Sequence, residues 1–196
     1  DHDGASPHQG ILLCNLGTPD APRPAELRRY LKEFLSDPRV VEIPRLLWWM
    51  ILNLIILRIR PRRSAKLYES VWTEAGSPLM CYSQGQVKAV KQRLAEKYGD
   101  IPVVLGMRYG NPSIPAVLDE LKAQGMTRVL IVPAYPQYSA TTTASLFDAV
   151  YTWAAKVRRL PNFASSTTTT TTTATSPRWP PGYVPTGTCT VRPSNW

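Results

Sequence analysis

The sequence predicts an α/β fold, a Rossmann-like parallel sheet with helices on both faces, followed by a Thr/Pro-rich tail. Three observations carry that expectation. Short continuous apolar runs recur at 10–16, 103–107 and 128–133, as parallel strands buried on both faces require. Between them lie segments whose apolar residues fall at i, i+3, i+4 and i+7, the stripe of an amphipathic helix. The two kinds of segment alternate as far as about residue 160, which is the order of a sheet covered by its own crossovers.

Each element has a local reason. Residues 1–9 are polar, hold both histidines (His2 and His8) and lack the apolar core of a secretory signal, so they are expected to be a disordered N-terminal segment. The domain proper is expected over 10–163. Gly10-Ile-Leu-Leu-Cys-Asn-Leu16 is the first strand, and Gly17-Thr-Pro-Asp20 breaks it as a turn. Leu27, Tyr30, Leu31 and Phe34 mark a helix over 24–34, and Val87, Val90, Leu94 and Tyr98 mark another over 84–98. Val103–Met107 is the second strand. Ser113 is a plausible N-cap with Pro115 early in the first turn, and that helix stops at Gly125. Residues 128–133 make the third strand and 144–159 a further helix. In such sheets ligands sit beyond the carboxyl ends of the strands, so the loops at 17–22, 108–112 and 134–143 are the places to look.

Composition narrows the chemistry. The chain has 196 residues, 43% hydrophobic, with 23 Lys and Arg against 14 Asp and Glu for a net charge of +9. That apolar share excludes global disorder, and the basic excess favours anionic partners. Three cysteines, Cys14, Cys81 and Cys189, are odd in number and widely spaced. They make neither a disulfide framework nor a zinc knuckle, which points to a reducing, cytoplasmic compartment. Cys14 and Cys81 lie among apolar neighbours and read as inert thiols. Residues 164–196 hold the unbroken run Thr167–Thr173, five prolines and no acid. This low-complexity tail reads either as a disordered linker or as a continuation translated out of frame, because a run of ACN codons read from each third base encodes only Tyr, His, Asn or Asp.

Three motifs carry the chemistry. Residues 46–57 are twelve residues with a single polar group, inside an apolar segment at 44–60. As a helix they span roughly 18 Å, short of a ~30 Å hydrocarbon core. Two readings stand, a buried core helix and a lip at a membrane surface or ligand entrance. Tandem tryptophans with Arg45 before and Arg58, Arg60, Arg62, Arg63 and Lys66 after favour the lip, formed by Leu46, Leu47, Trp48, Trp49, Met50 and Ile51. Arg108 and Tyr109 follow the second strand directly, where they suit an anionic, flat or aromatic ligand. Tyr135-Pro-Gln-Tyr-Ser139 and the threonines after it end the third strand and precede a helix, a place for either N-capping or an anion. No histidine lies within the fold for a Ser/His/Asp triad, and there is no Gly-Lys phosphate loop or G-x-G-x-x-G. The cations cluster beside an apolar helix instead of along a polar face, which argues against nucleic acid.

Gly10-Ile-Leu-Leu-Cys-Asn-Leu-Gly-Thr-Pro19, Gly76-Ser-Pro-Leu79, Gly106-Met-Arg-Tyr109 and Tyr135-Pro-Gln-Tyr-Ser139 together closely resemble, in order, the amino-terminal half of bacterial-type ferrochelatases over about residues 10–163. The resemblance implies a chelatase-type Rossmann-like fold that is incomplete here. It also implies an enzyme, a lyase that inserts ferrous iron into a porphyrin in haem biosynthesis. By position it places Leu16 over the macrocycle, Arg62, Arg63 and Ser77 near the porphyrin propionates, and Arg108, Tyr109, Tyr135 and Ser139 along the cleft. It makes the apolar lip the border of the porphyrin entrance and of an anionic membrane surface, implying peripheral membrane association. The family's metal-site His and partner Glu belong to its second half, so this chain is expected to supply no catalytic residue, no metal ligand and no cofactor, with iron and proto- or coproporphyrin as substrates of the full enzyme. Without that pair the chain is expected to be inactive. The alternatives are a non-catalytic porphyrin-binding or membrane-docking fragment, and a chelatase for another metal or tetrapyrrole.

Overall fold

The computed structural model describes residues 8–165. Residues 1–7, most of the predicted tail and Cys189 lie outside the described residues, and so does the proposed frame change within the tail. The described elements are β1 (Gln9–Thr18), α1 (Pro24–Leu35), α2 (Arg45–Ile51), a π turn (Leu52–Ile56), α3 (Leu57–Val71), α4 (Pro78–Tyr98), β2 (Val103–Gly110), α5 (Ile114–Ala123), β3 (Arg128–Pro133), a second π turn (Ala140–Ala144), α6 (Ser145–Ala154) and β4 (Asn162–Ser165). The strand order is β2-β1-β3-β4. β1 runs parallel to β3, with Gln9 opposite Arg128 and Cys14 opposite Pro133, and β3 runs parallel to β4. The predicted α/β class with a parallel sheet is therefore the observed one.

Where one domain is expected over 10–163, the described chain divides into two compact units. One holds residues 8–15, 86–108 and 112–165, and the other holds 16–85 and 109–111. In the first unit, alternation along the strands sends Leu12 and Cys14 of β1 and Val129 and Ile131 of β3 to one face. There they pack with Ile114, Val117, Leu118 and Leu121 of α5 and Leu146, Val150 and Trp153 of α6. The Trp153 indole N–H donates to an Asp119 carboxylate oxygen at 2.8 Å, tying α6 to α5. Gly106 lets β2 lie close, since a Cβ there would meet Leu12 Cδ1 at 2.9 Å. Ser113 caps α5 as expected, its hydroxyl accepting from the Ala116 N–H at 3.4 Å, and Gly125 follows with φ +76°.

Several boundaries differ from expectation, and β2 continues through Arg108 and Tyr109, expected to follow it, to Gly110. His8 and Gln9 fall within the expected disordered segment, yet Gln9 begins β1 and the His8 carbonyl accepts from the Thr127 and Arg128 N–H groups. α4 starts at Pro78, six residues before the predicted 84, because Ser77 and Pro78 are good starting residues. The helix expected over 144–159 is a π turn followed by α6, which ends at Ala154. The chain turns there to bring Asn162–Ser165 beside β3, with the Asn162 N–H on the Thr127 carbonyl at 2.8 Å and the Phe163 ring edge-on to Trp153. This tertiary pairing overrides a local helical preference. β4 also runs two residues past the boundary placed at 163, so Ala164 and Ser165 belong to the sheet and not to the tail.

The second unit is built around Tyr109, which is fully buried. Its ring meets Phe34 edge-on at 5.1 Å, and its cluster includes Tyr30, Leu31 and Leu35 of α1 with Leu52 and Leu57. The Tyr109 hydroxyl donates to Asp37 Oδ2 at 2.7 Å, while Asp37 Oδ1 accepts the Arg39 N–H at 2.8 Å. Gly17 has φ +111°, and a Cβ there would collide with the Tyr109 carbonyl, so no other residue fits. The Tyr30 hydroxyl donates to the Gly17 carbonyl at 3.3 Å. Burial first, and then neighbouring Tyr68, Tyr109 and Glu33, push that phenol well above its ordinary range.

Two outcomes test this packing. Tyr109→Phe removes the hydroxyl that donates to buried Asp37 and is expected to cost about 1–3 kcal/mol in urea unfolding; an unchanged midpoint would contradict the assignment. Cys14 is fully buried and burial pushes its thiol far up, so in the native protein iodoacetamide is expected to label Cys81 but not Cys14. Mass spectrometry before and after denaturation reads this directly.

Candidate functional site

At the carboxyl end of β2, Arg108 is partly buried and its Nε–H donates to the Ser145 hydroxyl at 2.7 Å. Ser145 opens α6 and is itself fully buried. At the carboxyl end of β3, Tyr135 is half-buried and packs on the core under α5 and α6. Ser139 follows in extended conformation and caps the π turn with its carbonyl, which accepts from the Thr142 and Ala144 N–H groups at 3.3 Å. Its hydroxyl pairs with that of Thr141 at 2.9 Å. The first unit therefore gathers Arg108, Tyr135, Ser139 and Ser145 at the strand ends where a doubly wound sheet takes ligand. An apolar groove of about 430 Å³, lined by Gly10, Ile11, Leu94, Tyr98, Leu130 and Phe163 among others, opens at the opposite, amino-terminal strand ends.

The other expected site residues fall in the second unit, and two of them make structural contacts. Tyr109, expected to line a cleft, is core: its ring is enclosed and its hydroxyl serves Asp37. Ser77, expected near a ligand carboxylate, is buried and caps α4. Its hydroxyl accepts from the Met80 N–H at 3.2 Å, and its carbonyl accepts from Cys81. Leu16 is half-buried against the Tyr109 cluster. Arg62 and Arg63 are exposed on α3.

The lip resolves into an anchor and a surface. Trp48 is half-buried against the core, and its indole N–H donates to the Leu35 carbonyl at 2.6 Å. Leu46 is 76% and Trp49 60% exposed, with Leu47 and Met50 also open and Ile51 half-buried. The single continuous helix implied by the sequence is interrupted by the π turn at Leu52–Ile56. Leu52 and Leu57 are both buried. In an unbroken α-helix, five residues rotate a side chain by about 140° off its starting face, whereas i→i+5 winding keeps both leucines inward. Pro61, inside α3, removes the donor for the Leu57 carbonyl just downstream of the irregular turn. Leu54, Ile55 and Ile59 are thus left exposed among the exposed Arg58, Arg60, Arg62, Arg63 and Lys66.

Sequence reasoning missed Asp37 and Ser145. The Asp37-Pro38 pair after a helix is a turn signal that marks Asp37 as a local hydrogen-bonding residue, although its reach to Tyr109 is a long-range fact. Ser145 carries no local signal, since its partner lies 37 residues away. Among the described residues no group of three His, Cys, Asp or Glu is arranged to hold a metal ion, and no helix is long and apolar enough to cross a membrane.

The family model described as Ferrochelatase matches residues 8–170. Similar curated proteins include a ferrochelatase from Polaromonas sp., 62% identical over 159 residues, covering 81% of this chain and 43% of the relative. One from Alcanivorax borkumensis is 60% identical over 142 residues, covering 72% of this chain and 42% of that protein. Another from Thioalkalivibrio sulfidiphilus is 52% identical over 176 residues, covering 86% and 48%. The chain thus spans less than half the length of these relatives, and the family match begins at His8 and covers every described strand. The chain belongs to the ferrochelatase family.

Proposed function

We propose that this chain supplies the porphyrin-holding portion of a ferrochelatase, which inserts ferrous iron into a porphyrin in haem biosynthesis. The observation that carries the reading is the chemistry its described surfaces offer. A porphyrin is flat and apolar with acidic side chains. The second unit exposes Leu46, Leu47, Trp49 and Met50 ahead of Arg62 and Arg63, and the first unit offers Arg108 with Tyr135 at a strand end. Aromatic and aliphatic side chains hold the macrocycle by burial, and guanidinium forks bind carboxylates in pairs of hydrogen bonds.

In the reaction, ferrous iron and a free-base porphyrin are both substrates. Iron forms bonds to four pyrrole nitrogens while two pyrrole N–H bonds break, and the two protons leave for bases. The residues argued here bind and orient the ring, and Leu16 packs without a group that could ligate iron. Proton removal and metal delivery call for a basic side chain with a carboxylate, which the family resemblance assigns to the half that this chain does not match. The chain alone is therefore expected to bind porphyrin without inserting iron at a full-length relative's rate. Insertion at that rate would overturn the reading.

The apolar patch and its arginines also suit an anionic lipid surface, and we propose peripheral docking there. Apolar side chains enter the interface while the cations meet lipid phosphates.

Replacing Arg62 and Arg63 together by Ala is expected to weaken porphyrin binding about tenfold in a Soret-band titration, with the fold unchanged by circular dichroism. Trp49→Glu with Leu46→Ser is expected to abolish co-sedimentation with phosphatidylglycerol vesicles. Raising salt should weaken binding of the unaltered chain. Equal sedimentation of both proteins would rule out docking through this patch.

A further inference from the structure

We infer that Ser145 is a positioning residue for ligand binding: it fixes the direction in which the Arg108 guanidinium presents itself at the end of β2. The inference rests on the porphyrin reading above and extends it to a residue outside the ligand's own contacts. Along β2, Val104, Gly106 and Arg108 share the face covered by α5 and α6. Val104 packs on that core, and a Cβ on Gly106 would meet Leu12 and Ile114 of the same core. Arg108 is the last of the three, near the carboxyl end of β2, and its Nε–H reaches Ser145 at the start of α6.

An arginine there has four rotatable side-chain bonds, and ordering them costs entropy when a ligand is caught. The Nε–H bond to Ser145 at 2.7 Å removes much of that freedom beforehand. It engages the guanidinium at Nε and restricts the rotation that carries the two Nη groups. End-on approach of two Nη donors is a geometry that receives a carboxylate through two parallel hydrogen bonds. The acceptor is itself rigid: Ser145 is fully buried at the first position of α6, whose inner face is locked by Leu146, Ala149, Val150 and Trp153. A hydroxyl accepts from Nε without adding a negative charge beside the guanidinium. An Asp in its place would compete with the ligand.

The test is a binding ratio measured on the full 196-residue chain. A porphyrin with free propionates and its methyl ester are titrated against the unaltered protein and against Ser145→Ala, Ser145→Thr and Arg108→Ala. The unaltered chain is expected to favour the free acid about tenfold or more. Ser145→Ala should lower that preference severalfold while leaving the ester's affinity unchanged, and Ser145→Thr, which keeps the hydroxyl, should restore it. In the Arg108→Ala background, Ser145→Ala should have no further effect. A merely structural role would weaken acid and ester alike and leave the ratio intact, which would overturn the inference while sparing the porphyrin reading. Failure of the unaltered chain to bind either ligand would overturn both. If Ser145→Ala does not fold, the Arg108 Nε–H resonance of the unaltered chain decides: protection from solvent exchange is expected, and free exchange would overturn the assignment.

Discussion

The second unit depends on a single close approach. Gly17 and Tyr109 come so near that a Cβ cannot be accommodated between them, and Gly110 likewise excludes a side chain against the Thr18 carbonyl. These contacts seat Tyr109 in the centre of its cluster, where the ring fills the core and the hydroxyl reaches Asp37. Asp37 then uses its second oxygen and its carbonyl to turn the chain after α1, accepting from Arg39, Val40 and Val41. Below this, Trp48 bonds back to Leu35 and holds the base of the lip. A buried phenol and a buried carboxylate are costly apart and stable together, which gives the tyrosine beside Arg108 a task within the fold.

That neighbouring pair shows how a strand divides labour. Alternation sends Arg108 and Tyr109 to opposite sides of β2, one towards the start of α6 and the other into the second unit's core. Adjacent in sequence, they read as one motif, an aromatic and a cation for an anionic flat ligand. Their side chains have different neighbours and different tasks.

The sheet was legible because parallel strands buried on both faces announce themselves as unbroken apolar runs. Residues 128–133 match β3 at both ends, and α5 is bracketed by the Ser113 hydroxyl before it and the positive φ of Gly125 after it. β4 was not legible. Asn162–Ser165 is short, has one large apolar residue, and depends on pairing with β3 and on Trp153 for its conformation. The π turn at 52–56 was equally hidden, since the need to bury both Leu52 and Leu57 appears only once their core is known. For the site, the exposure of the lip and the placing of Arg108 were readable from charge, aromatic content and strand position. Ser77 and Tyr109 have structural tasks, capping α4 and pairing with buried Asp37, that the sequence does not reveal, because a hydroxyl with such a partner looks, in sequence, like one that waits for a ligand.

The contacts between Gly17 and Tyr109 close a long excursion, for ninety residues (19–108) separate Thr18 from Tyr109. The entropy of closing a loop grows only with the logarithm of its length, about 0.6 kcal/mol for each doubling. Once the two strand ends are joined, lengthening or shortening the lip by a turn or two changes that cost by a small fraction of a kcal/mol. The lip's dimensions are therefore nearly free of the folding constraint that governs its base. A grafted lip of different length should leave the glycine–tyrosine joint undisturbed.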